Sequence, residues 1–138
     1  MMTRHIMAVT YEPKIKGVLD GTCTQTIRKR REKPFAIGDL ILLHGWEGRP
    51  YQSEWSWRKK VIITEVHDIV IYEDRVNKCY PDGTIFCTHW WHRLNFLASS
   101  EGIKPPTGEE LKKVLTDGKK IPNKGIKMQI IRWENDTE

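Results

Sequence analysis

The segment Gly21-Thr22-Cys23-Thr24-Gln25-Thr26-Ile27-Arg28 places three hydroxyl groups, a thiol and a guanidinium group within eight consecutive residues. Cations flank this segment on both sides: Lys14 and Lys16 precede it, and Lys29, Arg30 and Arg31 follow it. Threonine hydroxyls donate and accept hydrogen bonds, and an arginine fork binds a phosphate or a carboxylate with two parallel bonds. The pattern therefore predicts a strand that lines a cleft for an anion or a nucleotide. The alternative is an ordinary threonine-rich strand whose neighbouring cations are solvated.

A second set of candidate residues is aromatic and surrounds a loop with glycine and proline. Trp46, Trp55 and Trp57 bracket Arg49 and Arg58 in this part of the chain. Exposed rings among cations suit the stacking of single-stranded RNA bases, so Trp55, Trp57 and Arg58 are candidate ligand contacts. Packing in the core is the alternative, because tryptophan is usually buried.

Cys79, Cys87, His89 and His92 supply every ligand type of a Cys2His2 zinc site. However, they lack the close Cys-x-x-Cys pair of a zinc finger, and buried cysteines with polar histidines remain the alternative. We therefore expect no metal and no other cofactor, although zinc at this cluster stays open. The chain also has no glycine-rich phosphate loop and no serine-hydrolase elbow, so it predicts neither nucleotide hydrolysis nor dinucleotide redox chemistry.

Length and composition predict a single compact domain over residues 1–138. The chain is 38% hydrophobic and 30% charged, and its 23 Lys and Arg against 18 Asp and Glu give a net charge of +5. A positive excess favours polyanionic partners when it is concentrated on one face. The odd number of cysteines favours a reducing compartment, and an apolar run of roughly 20 residues is absent, so we expect a cytoplasmic protein without a membrane partner.

The elements that must position these residues are mostly short strands. Strands are predicted over residues 22–28, 40–43, 58–66, 69–72 and 126–133, with a turn over 80–83.

Three helices are predicted between these strands. The first covers residues 13–20, from Pro13 to the stop at Gly21. The second runs through Trp91, Leu94 and Ala98 and stops near Gly102, and the third runs from Thr107, with its capping-box partner Glu110, to Gly118. Together the elements predict an α+β fold, namely a mixed β-barrel with about three short helices packed beside it.

The first third of the chain also carries a resemblance to a known family. Residues 21–28, followed by Pro34-Phe35-Ala36-Ile37-Gly38-Asp39-Leu40, resemble the signature of the ASCH family. In that signature a helix precedes a Gly-x-Lys-Thr-x-Thr-x-Arg-like strand, and a Gly-Asp turn leads into an apolar strand. The order of elements agrees over most of the remaining chain. The resemblance implies a PUA-like β-barrel with helices beside a cleft that binds or modifies RNA.

Small bacterial ASCH proteins that resemble this chain include amidohydrolases that remove the acetyl group from N4-acetylcytidine. They use a lysine, a threonine and a glutamate; by position the threonine falls on Thr26, the glutamate on Glu101 and the lysine on Cys23. A neutral thiol does not replace a desolvated lysine. Two alternatives are open: Lys14 or Lys16 reaches the cleft from the helix, or Cys23 is the nucleophile and Glu101 its base.

We therefore expect an RNA-binding or RNA-nucleoside-recognising ASCH domain with a basic, threonine-lined cleft. The candidate ligand contacts are Lys14, Lys16, Thr24, Arg28, Arg30, Trp55, Trp57 and Arg58. The alternative is an amidohydrolase acting on N4-acetylcytidine or a related modified pyrimidine nucleoside, with Thr26, Glu101 and Cys23 as candidate catalytic residues. A protein-interaction adaptor with an incidental basic surface also fits the composition.

Overall fold

The computed structural model describes residues 2–46 and 54–135. Its elements are β1 Arg4–Ala8, α1 Glu12–Asp20, β2 Gln25–Lys29, β3 Leu40–Trp46, β4 Trp55–Ile71, β5 Arg75–Cys79, β6 Ile85–Trp90, α2 Asn95–Ser100, α3 Gly108–Thr116 and β7 Ile126–Asn135. A 3₁₀ turn, Trp91–Arg93, precedes α2. The predicted α+β class, rich in strands and with three short α-helices, is confirmed for the described residues. No helix among them is long and apolar enough to cross a membrane.

The long strand β4 joins the whole sheet. Val61 of β4 pairs with Ile41 of β3 and with Asn135 of β7, so these two strands lie along opposite edges of β4. The end of β4 pairs with β5, which in turn pairs with β6. At the margins, β1 adds to β3 in parallel and β2 adds to β7 in the antiparallel direction. The sheet is therefore mixed.

No backbone ladder joins the marginal strands β1 and β2 in the described part of the chain. Two arginine side chains reach across to β1 instead, one from β2 and one from the residues just after it. Arg28 Nη2 donates to the carbonyl of Ala8 at 2.7 Å, and Arg31 Nη2 donates to the carbonyl of Ile6 at 3.3 Å. The described strands thus form an open sheet whose margins meet through side chains.

Three of the predicted strands need correction. Residues 58–66 and 69–72 are predicted as separate strands, but residues 58–66 and 69–71 belong to one 17-residue strand, β4, and Tyr72 lies just beyond its end. A register shift between Ile63 and Glu65 accommodates the polar residues between the apolar runs. Residues 22–28 are predicted as one strand, but β2 begins only at Gln25. The delay has a local cause, since Asp20 Oδ1 accepts hydrogen bonds from both the backbone N and the hydroxyl of Thr22.

Three strands, β1, β5 and β6, are not predicted from the sequence. In β1 the buried side chains are His5 and Met7, whereas Ile6 is exposed, so hydrophobicity does not mark the inner face. The helix predicted from Trp91 to Gly102 is also shorter than expected, because the 3₁₀ turn occupies its first residues and α2 covers only Asn95–Ser100.

The local signals for α1, α3 and the hairpin turn are confirmed. Helix α1 ends at Gly21, whose φ of 85° is left-handed. Thr107 Oγ1 accepts a hydrogen bond from the backbone N of Glu110 and so caps α3. Gly83 N donates to the carbonyl of Tyr80 at 2.8 Å and closes the turn.

Two hydrophobic clusters form the core, and β4 and β7 contribute to both. Ile69 and Ile130 belong to the cluster that packs against α2 and α3, whereas Val61 and Ile131 belong to the cluster that packs against α1. Because neighbouring side chains on a strand point to opposite faces, the two clusters lie on either side of β7.

Candidate functional site

Helix α1 carries a lysine into the interior of the protein. Lys14 is only 4% exposed and lies one turn before the fully buried Val18, on the same face of the helix. A buried ammonium group is costly unless it is paired. Its partner is Glu101, whose Oε2 lies 2.6 Å from Lys14 Nζ.

Glu101 is held at the end of α2 by a Schellman-type C-cap. Gly102 N donates to the carbonyl of Ser99, and Ile103 N donates to the carbonyl of Ala98. Gly102 has a φ of 81°, and a Cβ placed on it would lie 3.3 Å from Lys14 Cα. Glycine therefore provides both the left-handed turn and the close approach of this turn to α1.

Three donors satisfy the Glu101 carboxylate. Besides Lys14, the backbone N of Ile27 donates to Oε2 at 2.9 Å, and Gln25 Nε2 donates to Oε1 at 3.0 Å. The Ile27 amide lies on the margin of β2 that none of the described strands covers, so the carboxylate accepts a bond that a neighbouring strand would otherwise accept. Glu101 therefore joins α1, β2 and α2 at one point.

Gln25 extends this network to the surface. Its Oε1 accepts a hydrogen bond from Arg132 Nε at 3.0 Å, and Arg132 Nη1 donates to Glu65 Oε2 at 2.7 Å. Because arginine only donates, the amide oxygen of Gln25 must face Arg132 and its NH2 group must face Glu101. At the exposed end, hydrogen bonds from His67 and Arg132 lower the pKa of Glu65. Glu101 thus receives a donor whose orientation is fixed.

A cavity of about 280 Å³ opens beside the Lys14–Glu101 pair. Its polar walls are Thr10, Tyr11, Lys14, Thr26, Arg28, Lys29 and Glu101, and its apolar walls are Val9, Ile27, Ile103, Val114, Leu115 and Met128. We call this space the Lys14 cavity. It brings together four of the residues predicted from the sequence, namely Lys14, Thr26, Arg28 and Glu101.

Two groups in this cavity still have hydrogen-bond donors to offer a ligand. Lys14 Nζ has Glu101 as its only hydrogen-bond partner among the described residues, so two of its three N–H groups remain. Thr26 Oγ1 accepts from Arg28 Nε at 3.1 Å, which leaves its hydroxyl proton to donate elsewhere. Arg28 already binds Thr26 and Ala8, so this residue supports the fold as well as the cavity.

Lys16 and Cys23 lie in a second cavity, of about 420 Å³, between α1 and the segment that follows α2. Lys16 is exposed there. Cys23 is buried, its Sγ lies 3.6 Å from the carbonyl oxygens of Gln25 and Ser100, and a Cβ on Gly17 would contact its own Cβ at 2.8 Å. Cys23 therefore packs tightly beneath α1 and does not line the Lys14 cavity.

Burial raises the pKa of the Cys23 thiol, so Cys23 should react slowly with alkylating agents. The thiolate is the reactive species, and a raised pKa keeps the thiol neutral at pH values where an exposed cysteine has begun to ionise. In a Cys79→Ser/Cys87→Ser protein, iodoacetamide labelling is expected to require a more alkaline pH than labelling of the same protein in urea. Equal pH profiles for the folded and unfolded protein would contradict this.

The remaining predicted contacts lie away from the Lys14 cavity. Thr24 accepts a backbone hydrogen bond from Trp133 N, and Arg30 is exposed with Nη1 4.0 Å from Asp68 Oδ2. Arg58 is exposed and places its guanidinium carbon 4.9 Å from the ring centre of Trp55. Only some of the predicted ligand contacts therefore line the Lys14 cavity.

Both predicted tryptophan platforms are packed against β3. The ring of Trp55 stacks on His44, with centres 3.9 Å apart. Trp57 covers Gly45 so closely that a Cβ at Gly45 would overlap the indole ring. Each keeps some exposed surface, and Arg49 lies outside the described residues.

The predicted Cys and His cluster does not assemble into a metal site in the described part of the chain. Cys87 Sγ lies 3.0 Å from His89 Nε2. No group of three or more His, Cys, Asp or Glu side chains among residues 2–46 and 54–135 could hold a metal ion.

Sequence reasoning missed Gln25 and Arg132 as parts of the site. They are Cα partners across β2 and β7, so their side chains meet only after two strands far apart in sequence have paired. One signal was available, because a glutamine among the apolar and hydroxyl residues of a strand needs a polar partner if it is buried.

The fold and the site define a small α+β protein with an enclosed lysine–glutamate pair beside a cavity that still offers hydrogen-bond donors. No family model, no curated protein and no solved structure matches the chain.

Proposed function

We propose that the protein is an RNA-nucleoside-recognising domain of the ASCH kind and that it binds the nucleoside in the Lys14 cavity. The observation that carries this proposal is the buried Lys14 ammonium, which keeps two N–H donors beside the hydroxyl of Thr26. A buried donor with no partner is unfavourable, so a polar ligand that accepts these bonds would be bound.

The size and the walls of the cavity suit a nucleoside. Small-molecule pockets span roughly 300–1,000 Å³ and combine apolar walls with a few polar groups. The Lys14 cavity, at about 280 Å³, lies just below that range and has the same mixture of walls. Lys14 and Thr26 would meet the polar edge of a base, while Ile103 and Met128 would contact its ring. Lys29 is exposed at the end of β2 and is available to a phosphate.

The ASCH proposal also includes a PUA-like barrel. Although the described sheet is open between β1 and β2, the short distance across this gap supports the proposal, because Arg28 and Arg31 reach across it to the carbonyls of Ala8 and Ile6. In this proposal the sheet curves far enough for its margins to meet beside the Lys14 cavity.

Calorimetric titration with cytidine and N4-acetylcytidine tests recognition. Thr26→Val keeps the shape of the side chain and removes the hydroxyl, so affinity is expected to fall by about 3- to 10-fold, the equivalent of one hydrogen bond. Lys14→Met is expected to weaken binding further. Lys16→Met, a matched change on the exposed face of α1, should bind like the parent protein. Unchanged affinity in both Thr26→Val and Lys14→Met would refute the proposal.

One observation favours a second function, the hydrolysis of the acetyl amide. Lys14 stands in the same cavity wall as Thr26 and Glu101, so α1 supplies the amine that the motif position at Cys23 lacks. Cys23 is buried in another cavity and its pKa is raised, so we assign it no part in the chemistry.

The reaction would use water and three side chains. Water adds to the acetyl carbonyl, and Lys14 donates a hydrogen bond to the developing oxyanion. A carboxylate has about four acceptor sites, of which Glu101 uses three, so the fourth can take the proton of the attacking water. Thr26 orients the substrate. The C–N bond then breaks, and the proton passes from Glu101 to the departing nitrogen, giving acetate and cytidine.

The release of cytidine from N4-acetylcytidine, followed by chromatography, tests hydrolysis separately from binding. Turnover is expected in the parent protein and in Cys23→Ser, and it should be lost in Glu101→Gln. Binding of N4-acetylcytidine without turnover would refute the hydrolysis proposal but not the proposal that the protein recognises a nucleoside. Loss of turnover in Cys23→Ser with the fold intact would show that the Cys23 thiol takes part in the reaction.

A further inference from the structure

The β5–β6 hairpin carries three aromatic side chains that are exposed to solvent. Tyr80, Phe86 and Trp90 are each about half exposed, between 47% and 53%. The register of the hairpin is well defined, because Asn77 and Thr88 are Cα partners and the Asn77 side-chain oxygen accepts a hydrogen bond from the Thr88 hydroxyl at 2.8 Å. The rings are therefore held on an ordered strand pair.

A β-bulge creates the first of two aromatic positions. Lys78 pairs with Cys87 and Cys79 pairs with Ile85, so Phe86 is the extra residue of β6 and has no Cα partner in this ladder. Its ring lies 4.7 Å from that of Tyr80, centre to centre. The pair forms an exposed two-ring surface next to the turn.

Trp90 forms the second aromatic position, at the other end of β6. It pairs directly with Arg75, whose guanidinium group lies over the ring of Tyr72. Phe86 and Trp90 are four positions apart, which corresponds to about 13 Å of strand at the usual rise of about 3.3 Å per residue. Two separate rings along one strand suit a flexible chain of planar groups better than one compact ligand.

The charge of the hairpin favours a polyanion. From Arg75 to Arg93 the fixed charges are the cations Arg75, Lys78 and Arg93 and the single acid Asp82. Arg75 is already paired with Asp74, 2.7 Å away, so the positive excess rests on Lys78 and Arg93. Asp82 Oδ1 already accepts from Thr84 N within the turn. A second copy of this chain, with its net charge of +5, would bring like charges together if the two hairpins met face to face.

We propose that the β5–β6 hairpin binds single-stranded nucleic acid, with bases stacked on the Tyr80–Phe86 pair and on Trp90. Stacking on aromatic side chains between cations is the general mode by which proteins bind single strands without reading sequence. This surface is additional to the Lys14 cavity and requires neither nucleoside recognition nor hydrolysis there. Where both operate, the hairpin would hold the strand to which the recognised nucleoside belongs.

Fluorescence anisotropy with a labelled short oligouridine tests the hairpin. Because stacking contributes about 1–3 kcal/mol per base, Phe86→Ala and Trp90→Ala are each expected to lower affinity by about 5- to 150-fold. Trp90→Phe keeps a ring and should lose much less. Phe96→Ala is the matched control, since this ring lies on α2 and is 83% exposed. Affinity should also fall as salt concentration rises.

Two results would overturn the proposal. One is equal affinity of the parent, Phe86→Ala and Trp90→Ala proteins for the oligouridine. The other is self-association in sedimentation experiments that the same two substitutions abolish, because the hairpin would then be an interface between copies. Cytidine titration distinguishes the hairpin proposal from the proposed nucleoside binding in the Lys14 cavity. The Phe86→Ala and Trp90→Ala variants should bind cytidine like the parent, whereas Thr26→Val should bind it more weakly.

Discussion

Replacing Glu101 by Gln is expected to lower the free energy of unfolding by about 3–5 kcal/mol. The substitution keeps the size of the side chain but leaves the ammonium group of Lys14 buried without a counter-charge. An amide also replaces one oxygen by a donor, which would face one of the existing donors, Lys14, Gln25 or the Ile27 amide. Urea unfolding of the parent and the variant measures the difference.

A double-mutant cycle distinguishes the ion pair from general damage to the site. Lys14→Met removes the cation and leaves a buried carboxylate, so this variant should also be destabilised. The double variant Lys14→Met/Glu101→Gln contains no buried charge at this point and should recover much of the lost stability. Additive effects of the two substitutions would show that Lys14 and Glu101 contribute independently and that the pair is not the energetic centre of the site.

Replacing Gly102 by Ala is expected to cost about 2–3 kcal/mol and to weaken cytidine binding. A left-handed residue with a Cβ costs about 1–2 kcal/mol. The new methyl group would also press against Lys14, whose Cα lies 3.3 Å and whose Cγ lies 3.4 Å from its position. Movement of α1 away from Gly102 would separate Lys14 from Glu101. Thermal unfolding and calorimetry on the same protein measure the two effects.

Gly38→Ala is the matched control for Gly102→Ala. Gly38 has a φ of 91°, but a Cβ there has no atom within 4 Å. This variant should show the backbone cost alone and should bind cytidine like the parent. Equal destabilisation and equal binding in the two variants would mean that the contact between Gly102 and Lys14 does not position the site.

The parts of the fold that were predicted correctly have local causes. Gly21 stops α1, Thr107 caps α3, and residues 80–83 form a turn because of residues within a few positions of each one. The strands that were missed depend on distant packing. Residues Ile85–Trp90 form a strand only because β5 pairs with them, and their hydrophobic side chains face solvent, so hydrophobic alternation gave no indication of them.

The sequence predicts Thr26 and Glu101 as members of the candidate site, but it leaves open whether Lys14 or Lys16 joins them. The structure brings Lys14 to Glu101, while Lys16, two residues further along α1, faces another cavity. Helical geometry separates these two lysines by about 200° around the axis, so only one of them could reach the cleft. Which one it is depends on the inner face of α1, and Val18 identifies that face once its burial is known.

The packing around Cys23 leaves no room for a lysine at this position. Cys23 fits beneath Gly17 of α1, where the two Cβ positions would be only 2.8 Å apart. The Sγ atom of Cys23 is enclosed as well, 3.6 Å from the carbonyl oxygens of Gln25 and Ser100, so a longer side chain would have little room there. Glycine at position 17 lets α1 lie close to Cys23, and that proximity allows Lys14 to reach Glu101 from the helix.

The pairing of β2 with β7 determines when the site can form during synthesis. Gln25 and Arg132 are separated by 107 positions in the chain, yet their hydrogen bond orients the amide that binds Glu101. While the ribosome is still adding the residues before β7, Lys14 and Glu101 have no completed sheet to shield them from water. Contacts between segments so far apart also slow folding. The proposed nucleoside site is therefore expected to form late in translation, and a nascent chain that lacks β7 should not bind cytidine.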